Sequence, residues 1–269
     1  MLPVVKGRGN TKYMSSVNNN QCPRGSEWRK WDLHVHTPAS YDWDKSCKDT
    51  SVEIVQRAMA ENLSVIAITD HHVVDGIDEV RKAAKGEHIT ILPGVELRTD
   101  KGNKGIHLIG IFDSSTASKT IYDKLLCPLN LSENDVKSKG DEHIYCNFES
   151  ACQKIHDLGG LVLLHAGTKS SGIEQLDSDI RATLKRDLAF LVDIFEVTTL
   201  RHIEDYRQIV FPKIKQEFPC IITSDACDRS QLTFKRGHST EVIGKTFSWI
   251  KAEPTFEGEI YSKVVDRIE

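Results

Sequence analysis

Short apolar, β-branched runs recur along this chain, each separated from the next by a stretch that carries the period of an amphipathic helix. The runs are Trp31 to His36, Val65 to Thr69, Ile89 to Val95, Ile106 to Phe112, Leu161 to Leu164, Phe190 to Val197 and Cys220 to Thr223. Each is short and mostly apolar, the pattern of a strand buried on both faces. Between the first two runs Val52, Val55, Met59 and Leu63 recur at spacings of three and four, and Thr50 with Glu53 makes a capping box. That combination predicts a helix. The same reasoning predicts helices near Ile77 to Lys85, Phe148 to Leu158, Asp177 to Leu188 and Ile203 to Gln216, the second closed by Gly159 and Gly160. Strands alternating with helices give the order of a parallel α/β fold, and the length suits crossovers that close into a barrel. Asp113 to Cys146 is less regular and reads as an insertion.

Outside this alternation, residues 1–27 are rich in Gly, Asn, Ser and Lys with no apolar period, so a flexible N-terminal extension is expected there. The barrel is expected over 28–245, with a C-terminal tail over 246–269. A composition of 39% hydrophobic and 28% charged residues excludes disorder over the whole length. No apolar run approaches the length of a membrane span, and Asn18, Asn19 and Asn20 stand where a signal peptide needs an apolar stretch. No membrane association is therefore expected. The seven cysteines are odd in number and form no CxxC, which suits reduced thiols and a cytoplasmic location. A net charge of -4 argues against a protein coated in positive charge for nucleic acid, though it leaves a local basic groove open. No GxxxxGK[ST] phosphate loop is present.

The chemistry lies in the strand ends. His34 and His36 are two apart, so both side chains should project from one face while Leu33 and Val35 project from the other. The second strand ends in Thr69, Asp70, His71 and His72, and the third in Gly94, Val95 and Glu96. The fourth carries His107, the fifth ends in His165, and the last ends in Ser224 and Asp225. In a parallel barrel the C-terminal strand ends converge on one rim. A lone histidine there is most often a hydrogen-bonded core or surface residue. Five with two or three carboxylates at one low-dielectric rim need a compensating cation. Mixed nitrogen and oxygen ligands suit Zn, Mn, Fe or Co, and the supply exceeds one tetrahedron, so two or three metals sharing bridging carboxylates are expected.

In order, Trp31-Asp32-Leu33-His34-Val35-His36-Thr37, Ile68-Thr69-Asp70-His71-His72, Gly94-Val95-Glu96, His107-Leu108-Ile109-Gly110, Leu164-His165-Ala166 and Ser224-Asp225-Ala226 resemble the motifs of the PHP (polymerase and histidinol phosphatase) family of metal-dependent phosphoesterases. The resemblance implies a distorted, TIM-like barrel of seven strands, (β/α)7, with two or three divalent transition metals, Zn, Mn or Fe. It implies that His34, His36, His71, Glu96, His107, His165 and Asp225 are ligands, and that His34, His36, His165 and Asp225 are also needed for catalysis. The family often supplies a further ligand between His36 and Thr50, for which Asp42 and Asp44 are the candidates, Asp42 favoured. The sequence departs from the family at Asp225-Ala226-Cys227, where a thiol replaces the usual last imidazole. Cys227 enters the expected ligand set as a zinc-binding thiolate.

Gly25 to Asp32, Thr37 to Ser40 and Phe247 to Gly258 are similar, more narrowly, to the PHP half of TrlF-type proteins, in which an SMC-like or AAA-like ATPase follows the barrel. That similarity implies an ATPase partner, fused or separate, and a nucleic acid substrate for nuclease or end-processing chemistry in phage defence or repair. A small-molecule phosphomonoesterase is the alternative. A catalytically degenerate module docked on an ATPase is the alternative of another class, with Cys227 as its one argument. Metal-assisted hydrolysis needs no Ser-His-Asp arrangement, and none is found. Arg98, just past Glu96, and Lys169, just past His165, are candidates for a phosphate clamp, their ordinary reading being solvated cations. Lys169, Arg181, Lys185, Arg186, Arg201, Arg207, Lys235 and Arg236 are candidates for a phosphate-tracking surface. Asp70 and His72 flank a ligand and are expected to support it. Glu196, at the end of the sixth strand, is within reach of the rim or of Arg201.

Overall fold

The capping box foreseen at Thr50 is present: its hydroxyl accepts from the Glu53 N–H while the Glu53 carboxylate accepts from Thr50 N, and helix α1 (Ser51–Ala60) starts there. This is a computed structural model, and it describes residues 27–102, 104–139, 143–167, 171–175, 187, 191–234 and 237–258. The expected N-terminal extension, most of the helix near Asp177 to Leu188, Lys169, Arg181, Lys185, Arg186, Lys235, Arg236 and the last eleven residues of the expected tail lie outside the described residues.

Among the described residues eight strands form one sheet. They are β1 (Glu27–Val35), β2 (Leu63–Ile68), β3 (Thr90–Arg98), β4 (His107–Ile111), β5 (Leu161–His165), β6 (Ile194–Glu196), β7 (Cys220–Ile221) and β8 (Ser248–Ala252), in the spatial order β7-β6-β5-β4-β3-β2-β1-β8. Seven correspond to the predicted runs. The eighth pairs antiparallel with β1, Glu27 opposite Ala252 and Trp31 opposite Ser248, so the two outer segments that carry the narrower resemblance lie side by side. The sheet nearly closes: the Ser248 hydroxyl accepts from Ile222 N at 2.9 Å and donates to Ile222 O at 3.0 Å, and Thr246 Oγ1 donates to Thr223 O. Side chains thus bridge the seam between β7 and β8, where β7 has only two residues to offer a ladder.

Two details differ from a uniformly parallel barrel, and both place ligands. Strand β4 runs antiparallel to β3 and to β5 because the chain comes straight back on itself between Thr99 and Ile106, Thr99 N donating to Ile106 O at 3.0 Å. Its first residue, His107, therefore lies at the rim where the other strands end. In β1 the pairing with β2 shifts between Asp32 and Val35. Leu33 belongs to the cluster that draws on every strand and fills the barrel, whereas Val35 packs in the outer layer beneath the helices. The expectation that Leu33 and Val35 share a face is thus corrected: the irregularity turns the strand, and His34 and His36 both reach the interior rim.

The outer layer includes α1, α2 (Asp75–Ala83), α3 (Ser118–Ile121), α4 (Glu133–Lys139) and α5 (Phe148–Asp157). The stretch read as an insertion contributes α3, α4 and buried Ile121, Leu125, Leu126, Leu129 and Leu131, so it is part of the core. Among the described residues no helix is long and apolar enough to cross a membrane.

Candidate metal centre

Glu96 is the hub. Its position on β3 shares the inward parity of Leu92, and it is 2% exposed. His34, His36 and His71 bring Nε2 to 2.9, 3.2 and 3.3 Å from Glu96 Oε2. His107 Nδ1 and His165 Nε2 lie 2.6 and 3.5 Å from Oε1. Five imidazoles, three from the strands β1, β4 and β5 and two from the turns after β1 and β2, thus converge on one carboxylate, as the strand-end reading anticipated. The backbone reinforces the junction, with a bridge between His71 and Glu96 and a bond from His72 N to Glu96 O of 3.0 Å.

A second group forms around Asp42. Its carboxylate lies 3.3 Å from His36 Nδ1, from His71 Nε2 and from His238 Nε2. Ser40 ties it down, donating to Asp42 Oδ1 at 2.6 Å while its Oγ lies 3.0 Å from His36 Nδ1. The other candidate, Asp44, is instead spent on a local turn with Ser46. His238 was not foreseen. It is delivered by a loop and not by a strand end: His238 N donates to Asp42 O, Asp44 N donates to His238 O, and its ring stacks on His36 with centroids 3.9 Å apart. The signal in the sequence is Gly237, which has φ +68 and whose added Cβ would collide with Asp42 O.

A third group joins His34, His165, Glu196 and Asp225. Glu196 accepts from His34 Nδ1 at 3.0 Å and lies 3.0 Å from His165 Nε2, and Thr223 Oγ1 donates to it. The Nδ1 bond to Glu196 turns His34 Nε2 toward His36 and Glu96, and a bound cation would take the place of the proton on that nitrogen. Asp225 lies 3.5 Å from His238 and 3.3 Å from Arg229. Its turn is pinned by Asp32, which accepts from Ser224 N and Gly244 N; burial pushes the Asp32 carboxyl up to about 6 against those bonds.

Electrostatically the cluster calls for added positive charge. Burial alone would lower His34, but the carboxylates of Glu196 and Glu96 outweigh it and raise the imidazole to about 10. Burial also opposes ionisation of Asp42, yet His36, His238 and His71 hold it well below the usual carboxylate range. Meanwhile burial drives His107 and His238 down to about 4, keeping them neutral. His34 Nε2 and His36 Nε2 are 2.9 Å apart and share Glu96 Oε2. Ligand atoms about 2.0–2.2 Å from a transition cation stand about 3.3–3.6 Å from one another in a tetrahedron, so the donor set fits such ions in type and, at 2.6–3.3 Å, needs only a small expansion to fit in spacing.

Other expected residues fall elsewhere. Asp70 accepts from Thr37 N at 2.6 Å and Thr37 Oγ1 at 2.7 Å, so it clamps the turn after His36 and does not touch an imidazole. His72 is buried at φ +59 with no hydrogen-bond partner on either ring nitrogen; it supports the site through its backbone. Cys227 stands in none of the ligand groups: the chain is extended after the turn Ser224–Ala226, leaving the thiol half-buried beside Arg229, with burial pushing it up. Arg98 donates from Nε to His107 Nε2 at 3.3 Å and from Nη2 to Tyr41 Oη at 2.7 Å.

Residues 32–159 match the family model of the PHP domain, so the chain carries a PHP domain over that stretch. A 5'-3' exoribonuclease of Haemophilus influenzae is 40% identical over 93 residues, 34% of this chain and 32% of that protein. A 3',5'-nucleoside bisphosphate phosphatase of Chromobacterium violaceum is 34% identical over 80 residues, 30% of this chain and 26% of that protein. The chain therefore spans a third or less of the length of these two relatives. A solved two-domain protein of Bacteroides vulgatus, containing a predicted PHP-like metal-dependent phosphoesterase, superposes with a TM-score of 0.56 at 15% identity, covering 90% of this chain and 64% of that one. A Bifidobacterium adolescentis structure assigned as a metal-dependent phosphoesterase gives 0.50 at 17% identity, over 72% of this chain and 86% of that one. These likenesses establish the distorted barrel.

Proposed function

We propose that this chain is a metal-dependent hydrolase of phosphoester bonds in nucleic acid, holding two or three divalent transition metals. The observation that carries the reading is the convergence of five imidazoles on Glu96, with Asp42, His238, Glu196 and Asp225 completing the shell. Its support also includes relatives named for phosphate chemistry on nucleotides and RNA. When bound, the cations supply charge that neutralises phosphate oxygens and Lewis acidity that activates water. The residues do the rest. Glu196 fixes the His34 tautomer, Ser40 orients His36 and Asp42, and the buried walls exclude bulk solvent. Arg98 is the candidate to orient a phosphate oxygen from the His107 side. Overall, water adds across the P–O bond: its oxygen joins phosphorus, and the leaving oxygen departs with a proton.

The test compares single-stranded RNA and DNA oligonucleotides with an aryl phosphate, each with the Mn-loaded chain. Cleavage of an oligonucleotide is expected; turnover of the aryl monoester alone would replace this reading with a phosphomonoesterase. Less than one equivalent of transition metal in protein purified without chelator would favour a degenerate docking module. The narrower similarity of residues 25–32 and 247–258 supports a TrlF-type partnership with an SMC-like or AAA-like ATPase. Co-purification with such an ATPase and a change in nuclease rate on adding ATP would test it.

A further inference from the structure

Between the metal centre and the surface, on the His107 side, lie Tyr41, Arg98 and Tyr145. Arg98 is two positions past Glu96 on β3 and so shares its face. Its guanidinium carbon is 5.9 Å from the centre of the Tyr41 ring and 5.7 Å from that of Tyr145. Tyr41 in turn lies against the ligand His71, ring centroids 4.8 Å apart. His71, Tyr41, Arg98 and Tyr145 therefore form a continuous strip. It begins in the buried shell and ends on Tyr145, which is 43% exposed, whereas Arg98 is only 8% exposed.

The backbone holds this strip in place. Arg98 pairs with His107 in the β3–β4 ladder, and Cys146 N donates to Arg98 O at 3.0 Å, fixing Tyr145 one residue away. Gly105, at φ +78, makes room: a Cβ there would lie 2.6 Å from Arg98 Cγ and 2.8 Å from Tyr145 Cε1. A cation lodged between two aromatic rings has its charge and plane directed. The outer ring leaves a large part of its surface to solvent beside a site built for phosphate.

We propose that Tyr41, Arg98 and Tyr145 form a nucleotide-recognition strip, in which Arg98 holds a phosphate and Tyr145 stacks an unpaired base next to the scissile group. This rests on the phosphoester-hydrolase reading and narrows it to single-stranded nucleic acid. A base inside a duplex is already stacked on both faces and cannot take the ring, while every unpaired base offers a π-face. A simple phosphomonoester has nothing to place there.

The experiment uses the Mn-loaded full chain and compares kcat/KM for a single-stranded hexamer with that for the same hexamer carrying abasic residues at both ends. The wild type is expected to prefer the base-bearing hexamer about tenfold or more. Tyr145→Ala should abolish that preference and Tyr145→Phe should retain it, with thermal melting showing that both variants are folded. Equal turnover of the two hexamers by the wild type, or a preference that survives Tyr145→Ala, overturns the strip while leaving the hydrolase standing. Failure to cleave either hexamer overturns the nucleic acid reading, and the strip with it.

Discussion

His238 stacks on His36 with ring centroids 3.9 Å apart, and both rings reach the carboxylate of Asp42. A residue from a late loop is thereby built into a shell otherwise drawn from strand ends and the loop after β1. It supplies an imidazole 3.5 Å from Asp225, in a chain whose Asp225-Ala226-Cys227 carries a thiol two positions on. His238→Ala should lower metal content per chain and weaken metal binding at least about tenfold. Cys227→Ala should leave metal content near the wild-type value. Plasma mass spectrometry of the two variants decides, and the reverse result would return the ligand role to the thiol.

Glu96→Gln keeps the shape of the hub and removes its charge. With five imidazoles directed at one side chain, the loss should reach at least the upper end of the about 10–100-fold that a supporting partner typically costs. The readouts are metal content and kcat/KM on whichever substrate the wild type turns over. Wild-type metal loading in this variant would contradict the hub assignment.

Removing bound metal should destabilise the fold, because cations that bind only the native chain add stability by mass action. At a free metal concentration 100 times the dissociation constant this is about 2.7 kcal/mol, or about 5–11 °C in Tm for a domain of this size. Scanning calorimetry before and after chelator dialysis measures it, with re-addition of Mn restoring the higher transition. An unchanged Tm would mean that the shell is stable without ions.

Thr50→Ala removes the hydroxyl that accepts from Glu53 N at the start of α1. A loss of about 1 kcal/mol is expected, visible as a Tm lower by about 2–4 °C. Metal content should not change, since Thr50 bonds within the first turn of α1 and the helix contributes no ligand.

Burial raises the thiols of Cys146 and Cys220 to about 12. An acid whose folded pKa lies above its unfolded value stabilises the fold fully below the unfolded pKa, and that contribution is lost as pH rises through the folded value. Stability should therefore decline from about pH 9 towards pH 12, as these thiols ionise more readily in the unfolded chain. At pH 8 in native buffer, iodoacetamide should spare both while labelling the half-buried Cys127 and Cys227. Peptide mass spectrometry showing Cys146 or Cys220 labelled as fast as Cys227 would rule this out.

The barrel was legible because buried strands are written as short apolar runs and α1 as a capping box before a three-and-four repeat. Seven runs became seven strands. The histidines were legible for a related reason: strands that end at one rim carry their terminal side chains there. Local sequence alone could not announce β8, since Ser248 to Ala252 acquires its partner only by lying against β1 across the whole chain.

The sequence by itself determined most of the side chains that meet at the rim, because strand periodicity and order dictate which residues end there. Tertiary structure decided the rest. The reversal of β4 brings His107 to the rim, and the shift in β1 turns His34 and His36 inward. The pairing of the Gly237–His238 segment with Asp42 and Trp43 supplies an imidazole that no spacing rule predicts. Each depends on contacts between residues far apart in the chain, where register, bulges and loop docking are set by packing and not by local preference.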